Sequence, residues 1–140
     1  DMGPEPFSAE LTGDEVWRRT RASRRRIKTQ LLSQRLIAGV GNIYADEALF
    51  LARINPSLRS ISRPQAQRLL GALRAVLSEA IERGGTTLRD YRNLEGEGSN
   101  QHHLKCYGRA SQLCLVCAST LRSRVIDART TTWCPKCQAR

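Results

Sequence analysis

Apolar residues recur at helical spacing through the first half of the chain. The clearest run lies between Ser62 and Arg83, and its apolar members repeat every three or four residues: Leu69, Leu70, Leu73, Val76, Leu77, Ala80 and Ile81. This period predicts an amphipathic helix. Gly84-Gly85 predicts its end, because glycine favours the backbone conformations that terminate helices.

Three shorter helices are predicted before this one. Thr12-Gly13-Asp14-Glu15 fits a capping box, in which the threonine oxygen accepts from a backbone N–H and the glutamate reaches back. A second helical run covers residues 27–34. A third runs from Ile43 to about Ala52, and Asn42 suits its N-cap. The first half is therefore predicted to contain about four helices.

The pattern changes in the second half of the chain. Short segments rich in threonine, β-branched and aromatic residues predict strands around Cys106-Tyr107, at 121–126 and at 130–133. A tight turn is expected at Asp127-Ala128-Arg129-Thr130, which would make the last two strands a β-hairpin.

These elements predict an α+β protein that is mainly α. Residues 1–11 carry two prolines and no periodic pattern, so we interpret them as a tether. Residues 12–95 are expected to form an all-α domain, and residues 96–140 a small β-hairpin unit. Such a unit cannot bury enough apolar surface to be stable alone, and it needs a further stabilising cross-link.

Two Cys-x-x-Cys pairs can provide that cross-link. Cys114 and Cys117 form the first pair, and Cys134 and Cys137 form the second after sixteen intervening residues. Two such turns supply a tetrahedral shell of four thiolates, the arrangement that Zn²⁺ prefers, and four protein ligands leave no open position for catalysis. We therefore expect one structural zinc ion, with Cys106 outside the set. Redox dithiols or an iron centre are the alternatives.

The charge balance indicates a polyanionic partner. The chain has 23 Lys and Arg against 13 Asp and Glu, which gives a net charge of +10. Residues 16–45 contain eight of these cations and no acid. Like charges without acidic partners repel, and a bound anion would relieve that cost. Nucleic acid is the first candidate, and a membrane surface is the weaker one because aromatic residues are few.

Other features concern the compartment. No stretch approaches 18 consecutive apolar residues, so no transmembrane helix is expected, and the first residues lack a secretory signal pattern. Paired cysteines of this kind belong to reducing compartments. We therefore expect a cytoplasmic, nucleoid-associated monomer.

Several motifs, in the same order along the chain, resemble one family. They are Gly39-Val40-Gly41-Asn42-Ile43-Tyr44-Ala45-Asp46-Glu47, Gly84-Gly85-Thr86-Thr87-Leu88-Arg89-Asp90-Tyr91, Tyr107-Gly108-Arg109, and the closing stretch from Arg129 through Trp133-Cys134-Pro135-Lys136-Cys137-Gln138. Together they resemble the C-terminal half of the formamidopyrimidine-DNA glycosylase and endonuclease VIII family, which removes oxidised bases from DNA.

The resemblance implies a helix–two-turns–helix domain followed by a zinc finger, with double-stranded DNA as the partner. It implies that Asn42 contacts a DNA phosphate together with backbone amides at the start of its helix, beside Gly41. It also implies that Arg129 grips phosphates, that Lys28 occupies a basic position near the lesion pocket, and that Tyr107 contacts the DNA backbone. A helix N-terminus with a glycine-bearing approach is independently suited to binding an anion.

The resemblance further implies that catalysis requires the amine of an N-terminal proline and a neighbouring glutamate, both in another domain. Pro4-Glu5 does not supply them, since an internal proline nitrogen is an amide and cannot form an imine. We expect a DNA-binding module that neither excises bases nor nicks DNA by that route. The alternatives are a fragment of a full glycosylase/AP lyase acting on oxidised purines, and an RNA- or protein-binding zinc-ribbon module.

Overall fold

The computed structural model of the 140-residue chain describes residues 2–84 and 103–140. These residues form four helices followed by a two-stranded antiparallel sheet. The elements, in chain order, are α1 (Gly13–Arg21), α2 (Ile27–Leu32), α3 (Asn42–Ala52), α4 (Arg63–Gly84), β1 (Arg122–Ile126) and β2 (Arg129–Trp133). The predicted mainly helical α+β class, with a terminal hairpin, is confirmed.

The four helices share one hydrophobic core. Helix α3 lies at its centre, because all of its residues except Asn42 and Leu51 are buried, and it packs along α4. The fully enclosed side chains are mostly aliphatic: Val16, Leu31, Ile37, Val40, Leu49, Ile54, Leu69, Leu73 and Leu77. No helix among the described residues is long and apolar enough to cross a membrane.

Two predicted helix caps differ in their outcome. The Thr12 hydroxyl accepts from the backbone N–H of Glu15 at 3.2 Å and caps α1, as predicted. The Glu15 carboxylate, however, binds the Arg18 guanidinium at 2.8 Å. The prediction of Asn42 as an N-cap was wrong. Gly41 occupies the cap of α3 with extended dihedrals, and Asn42 is the first helical residue.

Residues 2–11 contain no helix or strand, and they are docked on the helical core. The Gly3 N–H donates to the Gln34 carbonyl at 2.7 Å, and the Pro4 carbonyl accepts from Ala38 at 2.9 Å. Further along, the Arg74 guanidinium donates to the carbonyls of Pro6, Ser8 and Leu11 at 2.8 to 3.1 Å. One side chain of α4 therefore fixes three points of this segment.

The hairpin pairs Arg122 with Trp133 and Ile126 with Arg129. Its turn is the dipeptide Asp127-Ala128, and both residues have positive φ, 47° and 68°. Turns of this kind match the right-handed twist of the paired strands. Arg129 is thus the first residue of β2, directly after the turn.

The strand predicted around Cys106-Tyr107 is absent, and that prediction was wrong. The Glu47 carboxylate accepts from the backbone N–H groups of Lys105, Cys106 and Tyr107 at 2.7 to 2.8 Å. Because these amides already donate to a side chain, they cannot form the hydrogen bonds of a β-ladder. The segment therefore forms a turn.

The motif at 85–91, the predicted boundary at residue 95 and the loop at 96–102 lie outside the described residues.

Candidate metal centre and nucleic-acid interface

The four paired cysteines converge on one point. The Sγ atoms of Cys114, Cys117, Cys134 and Cys137 all lie within 4.8 Å of one another. The Cys114–Cys137 pair is 3.9 Å apart, and the Cys117–Cys134 pair is 3.4 Å apart. Four thiolates at about 2.3 Å from a tetrahedral Zn²⁺ would have edges of about 3.8 Å, so the arrangement fits this ion.

Hydrogen bonds at this centre also suit a cation. The backbone N–H groups of Val116 and Cys137 donate to the sulfurs of Cys114 and Cys134 at 3.4 and 3.3 Å. Hydrogen bonds from Ser119 lower the pKa of the Cys117 thiol to about 6, whereas burial raises the pKa of the Cys134 and Cys137 thiols. Donors aimed at sulfur stabilise thiolates, which are the form that binds metal.

Cys106 lies beside this centre without belonging to it. Its Sγ donates to the Thr132 carbonyl at 3.0 Å, and burial raises the pKa of its thiol. It packs with Phe50 of α3, Leu121 and the metal-site cysteines in a second small core. The prediction that Cys106 stands apart from the metal set agrees with this geometry.

Asn42 and the strand that begins with Arg129 come from distant parts of the chain and are joined beside the hairpin turn. The Asn42 Nδ2 donates to the Thr130 carbonyl at 3.2 Å, which places the start of α3 next to Arg129. The Arg129 side chain is exposed. The Asn42 Oδ1 is the buried side-chain polar atom without a hydrogen-bond partner among the described residues. The start of α3 thus lies next to the strand residue that follows the exposed Arg129.

Lys28 does not lie on this surface. Its side chain is fully buried, and its Nζ binds Asp46 Oδ1 at 2.5 Å and Thr131 Oγ1 at 2.9 Å. The structure therefore directs its ammonium into the protein, whereas the resemblance implied a position near the lesion pocket. Contact of Lys28 with DNA stays a prediction.

The buried pair ties the hairpin to the helices. Asp46 Oδ2 accepts from the backbone N–H of Thr132 at 3.1 Å, and Lys28 and Asp46 together hold consecutive residues of β2. Burial lowers the pKa of Lys28, and burial raises the pKa of Asp46 from 3.8 to about 6. Desolvation thus opposes both charges, and their mutual contact offsets part of its cost.

Tyr107 is positioned by a different route. Its backbone N–H is held by Glu47, and its half-buried side chain packs against the helical core.

At the other end of the finger, the buried Gln138 donates to the Ile54 carbonyl at 3.0 Å and accepts from the Cys134 N–H at 2.8 Å. Contacts from α2, α3 and the 54–55 turn therefore seat the finger on the helices.

Comparison with known proteins agrees with this geometry. Residues 2–92 match the family model described as the formamidopyrimidine-DNA glycosylase H2TH domain. The chain belongs to the formamidopyrimidine-DNA glycosylase family. Residues 111–140 match a second model, the zinc finger found in Fpg and in IleRS. The C-terminal unit of this family member is a zinc finger, and its cofactor is one structural zinc ion held by the four cysteines.

Whole relatives are about twice as long as this chain. The formamidopyrimidine-DNA glycosylase of Thermomicrobium roseum is 48% identical over 98% of the chain and 49% of its own length. The corresponding protein of Bdellovibrio bacteriovorus is 40% identical over 99% of the chain and 52% of its own length. The chain therefore spans about half the length of the curated relatives that it matches.

Solved structures of the family share the fold. The MutM (Fpg) protein of Thermus thermophilus superposes with a TM-score of 0.84 at 42% identity, over 99% of this chain and 54% of that one. The Lactococcus lactis Fpg superposes with a TM-score of 0.85 at 31% identity, over 99% of this chain and 51% of that one. That structure is described as non-covalently bound to DNA containing an AP site.

Proposed function

We propose that this chain binds duplex DNA through its phosphates and serves as the DNA-gripping half of a base-excision-repair protein. The observation that carries the proposal is the hydrogen bond from Asn42 to the Thr130 carbonyl, which joins the start of α3 to the residue that follows Arg129. A helix N-terminus with a neutral amide, and an exposed guanidinium on the neighbouring strand residue, can contact the same phosphodiester backbone.

Two further facts support the proposal. The net charge of +10 favours a polyanion. A family structure from Lactococcus lactis is a complex with abasic-site DNA, so DNA is the partner to test first.

The residues have distinct roles in this proposal. Asn42 and the backbone N–H groups that follow Gly41 bind a phosphate at the start of α3. Arg129 binds a neighbouring phosphate from the hairpin, and Tyr107 contacts the backbone. Lys28 contributes indirectly, because its buried ammonium holds Thr131 and therefore the strand that carries Arg129. The zinc ion supplies no chemistry; it holds the finger in its folded form.

The test compares Asn42→Ala and Arg129→Ala in salt titrations of duplex binding, followed by fluorescence anisotropy. Each cation–phosphate contact contributes about 0.9 to the slope of log K against log salt. We expect both variants to bind more weakly, Arg129→Ala with a slope smaller by roughly 1 and Asn42→Ala with an almost unchanged slope. Equal slope changes in the two variants would contradict the assigned roles.

The same assay addresses the other candidate functions. An abasic duplex, an undamaged duplex and an RNA duplex of equal length are compared at one salt concentration. Tighter binding of the abasic duplex supports a role in damage repair, as expected for the DNA-binding half of a glycosylase. Preference for the RNA duplex would favour a zinc-ribbon module that binds RNA instead.

A further inference from the structure

Five arginines from three separate segments gather around the start of α2. They are Arg24, Arg25, Arg26, Arg59 and Arg124. The Arg59 guanidinium donates to the Arg24 carbonyl at 2.9 Å, and Arg124 lies 3.5 Å from the hydroxyl of Ser57. The Ile27 N–H donates to the Leu58 carbonyl at 2.7 Å, which fixes the 55–59 turn against α2. We call these five residues the arginine cluster.

The arginine cluster has almost no acidic counterpart. Among the residues that the structure describes, none of its five members forms an ion pair, whereas Arg18 and Arg19 of α1 both contact Glu15. An open depression is lined by Arg25, Arg26, Thr29, Arg59 and Asp127. Asp127 is the one acid there, and its carboxylate already accepts a hydrogen bond from the Thr29 hydroxyl. Neighbouring guanidinium groups in this state repel unless an anion lies between them.

The arginine cluster is continuous with the proposed DNA site. The contact between Thr29 and Asp127 joins α2 to the hairpin turn. Asp127 is only two residues before Arg129, so at most about 7 Å separates the depression from the residue assigned to a phosphate. Duplex DNA carries one negative charge for about every 1.7 Å of its axis. A duplex held at Arg129 therefore brings further phosphates close to this depression.

We propose that the arginine cluster is a second phosphate-binding surface, which extends the footprint on duplex DNA beyond Asn42 and Arg129. This inference rests on the proposed function, because both surfaces would hold the same duplex. Guanidinium groups suit this role since their planar donors bind phosphate oxygens in a bidentate manner. Hydrogen bonds orient the loop that carries the cluster: the Arg25 N–H binds the Ser23 hydroxyl, and the Arg25 carbonyl accepts from Gln30.

The experiment compares two triple variants that each lower the net charge by three. The cluster variant is Arg25→Gln/Arg26→Gln/Arg59→Gln. The matched control, on helix α4, is Arg63→Gln/Arg68→Gln/Arg83→Gln. Salt titrations of binding to a 20-base-pair duplex are followed by anisotropy. With about 0.9 per phosphate contact, we expect the slope of log K against log salt to fall by about 2 to 3 in the cluster variant and by less than 1 in the control.

A third variant separates charge from folding. Arg25→Lys/Arg26→Lys/Arg59→Lys keeps the cations, and we expect it to recover most of the slope. Equal slopes in the cluster and control variants, or a lysine variant that binds as weakly as the glutamine variant, would overturn the inference. The proposed function fails separately if the unaltered chain does not bind duplex DNA, or if Arg129→Ala binds as tightly as the unaltered chain.

Discussion

The helical half encloses a core of mainly aliphatic side chains from its four helices. The C-terminal unit (residues 103–140) instead encloses the metal-site cysteines together with Cys106, Leu121 and the ring of Phe50, which belongs to α3. Burial of apolar surface stabilises the helical half, at about 25 cal/mol for each Å². The C-terminal unit depends instead on metal coordination and on polar contacts with α2 and α3. Asn42 and Arg129 stand on opposite sides of this division, so their spacing depends on both kinds of stability.

Zinc removal should have the largest effect, because it removes what stabilises the C-terminal unit and leaves the helical core intact. Structural zinc in small fingers contributes on the order of 10 kcal/mol, more than this β unit gains by burial. Chelation, or Cys134→Ser, is expected to unfold residues 103–140 while most of the helical circular dichroism persists. Hydrogen exchange followed by NMR distinguishes the two halves.

Cys106→Ser is the matched control for that experiment. A serine hydroxyl can still donate to the Thr132 carbonyl, and Cys106 lies outside the metal set. Elemental analysis should therefore find one zinc per chain in this variant. Loss of zinc from Cys106→Ser, or collapse of the helices on chelation, would show that the halves are not stabilised as we describe.

Removing one member of the buried ion pair has the next largest effect. Lys28→Met leaves the Asp46 carboxylate enclosed without its cation, and such changes typically cost about 3 to 5 kcal/mol. The double variant Lys28→Met/Asp46→Leu removes both charges and should recover most of that loss. Urea denaturation measures the free energies of unfolding. If the double variant is no more stable than Lys28→Met, the loss in Lys28→Met does not come from leaving the Asp46 charge without its partner.

The smallest predicted effect is a pH dependence at the same pair. Burial raises the pKa of Asp46 from 3.8 to about 6, with Glu47 adding to the rise and Lys28 opposing it. Its contribution to stability is therefore fully present below pH 3.8 and is lost as the pH rises through 6. Between pH 4 and 6, Asp46→Asn should give a free energy of unfolding with a more positive slope than the wild type, by up to about 1.4 kcal/mol per pH unit.

Carboxyl NMR measures this titration directly. Asp46 should titrate near pH 6 in the unaltered chain and higher still in Lys28→Met, because the ammonium is one of the groups that lower its pKa. A midpoint near the ordinary value of 3.8 would contradict the conclusion that burial outweighs the Lys28 ammonium in setting the pKa of Asp46.

Much of the architecture could be predicted from periodicity and spacing. The repeat of leucines from Leu69 to Leu77 located α4, and the cysteine spacing located the metal centre. Both signals arise from neighbours along the chain, which is why one sequence suffices. The hairpin was found in the same way, from its β-branched residues and the turn at Asp127.

The contacts between the two halves could not be predicted in this way. Lys28 looked like one more surface cation in a basic run, and nothing local indicated that Asp46 would neutralise it from another helix. Glu47 likewise removed a predicted strand by capturing amides 58 to 60 residues away. A partial signal existed for Asp46, since it lies four residues after Asn42 and therefore on the same face of α3.

The docked N-terminal segment gives the domain a defined mechanical path. A pulling force applied at Gly3 would meet the backbone hydrogen bonds to Gln34 and Ala38 first, and then the three carbonyls held by Arg74. The load would pass into the loop between α2 and α3, and then into α4, before it reached α1. Tension at this end is thus delivered to the middle of the helical core, and α1 is shielded from it by one guanidinium group.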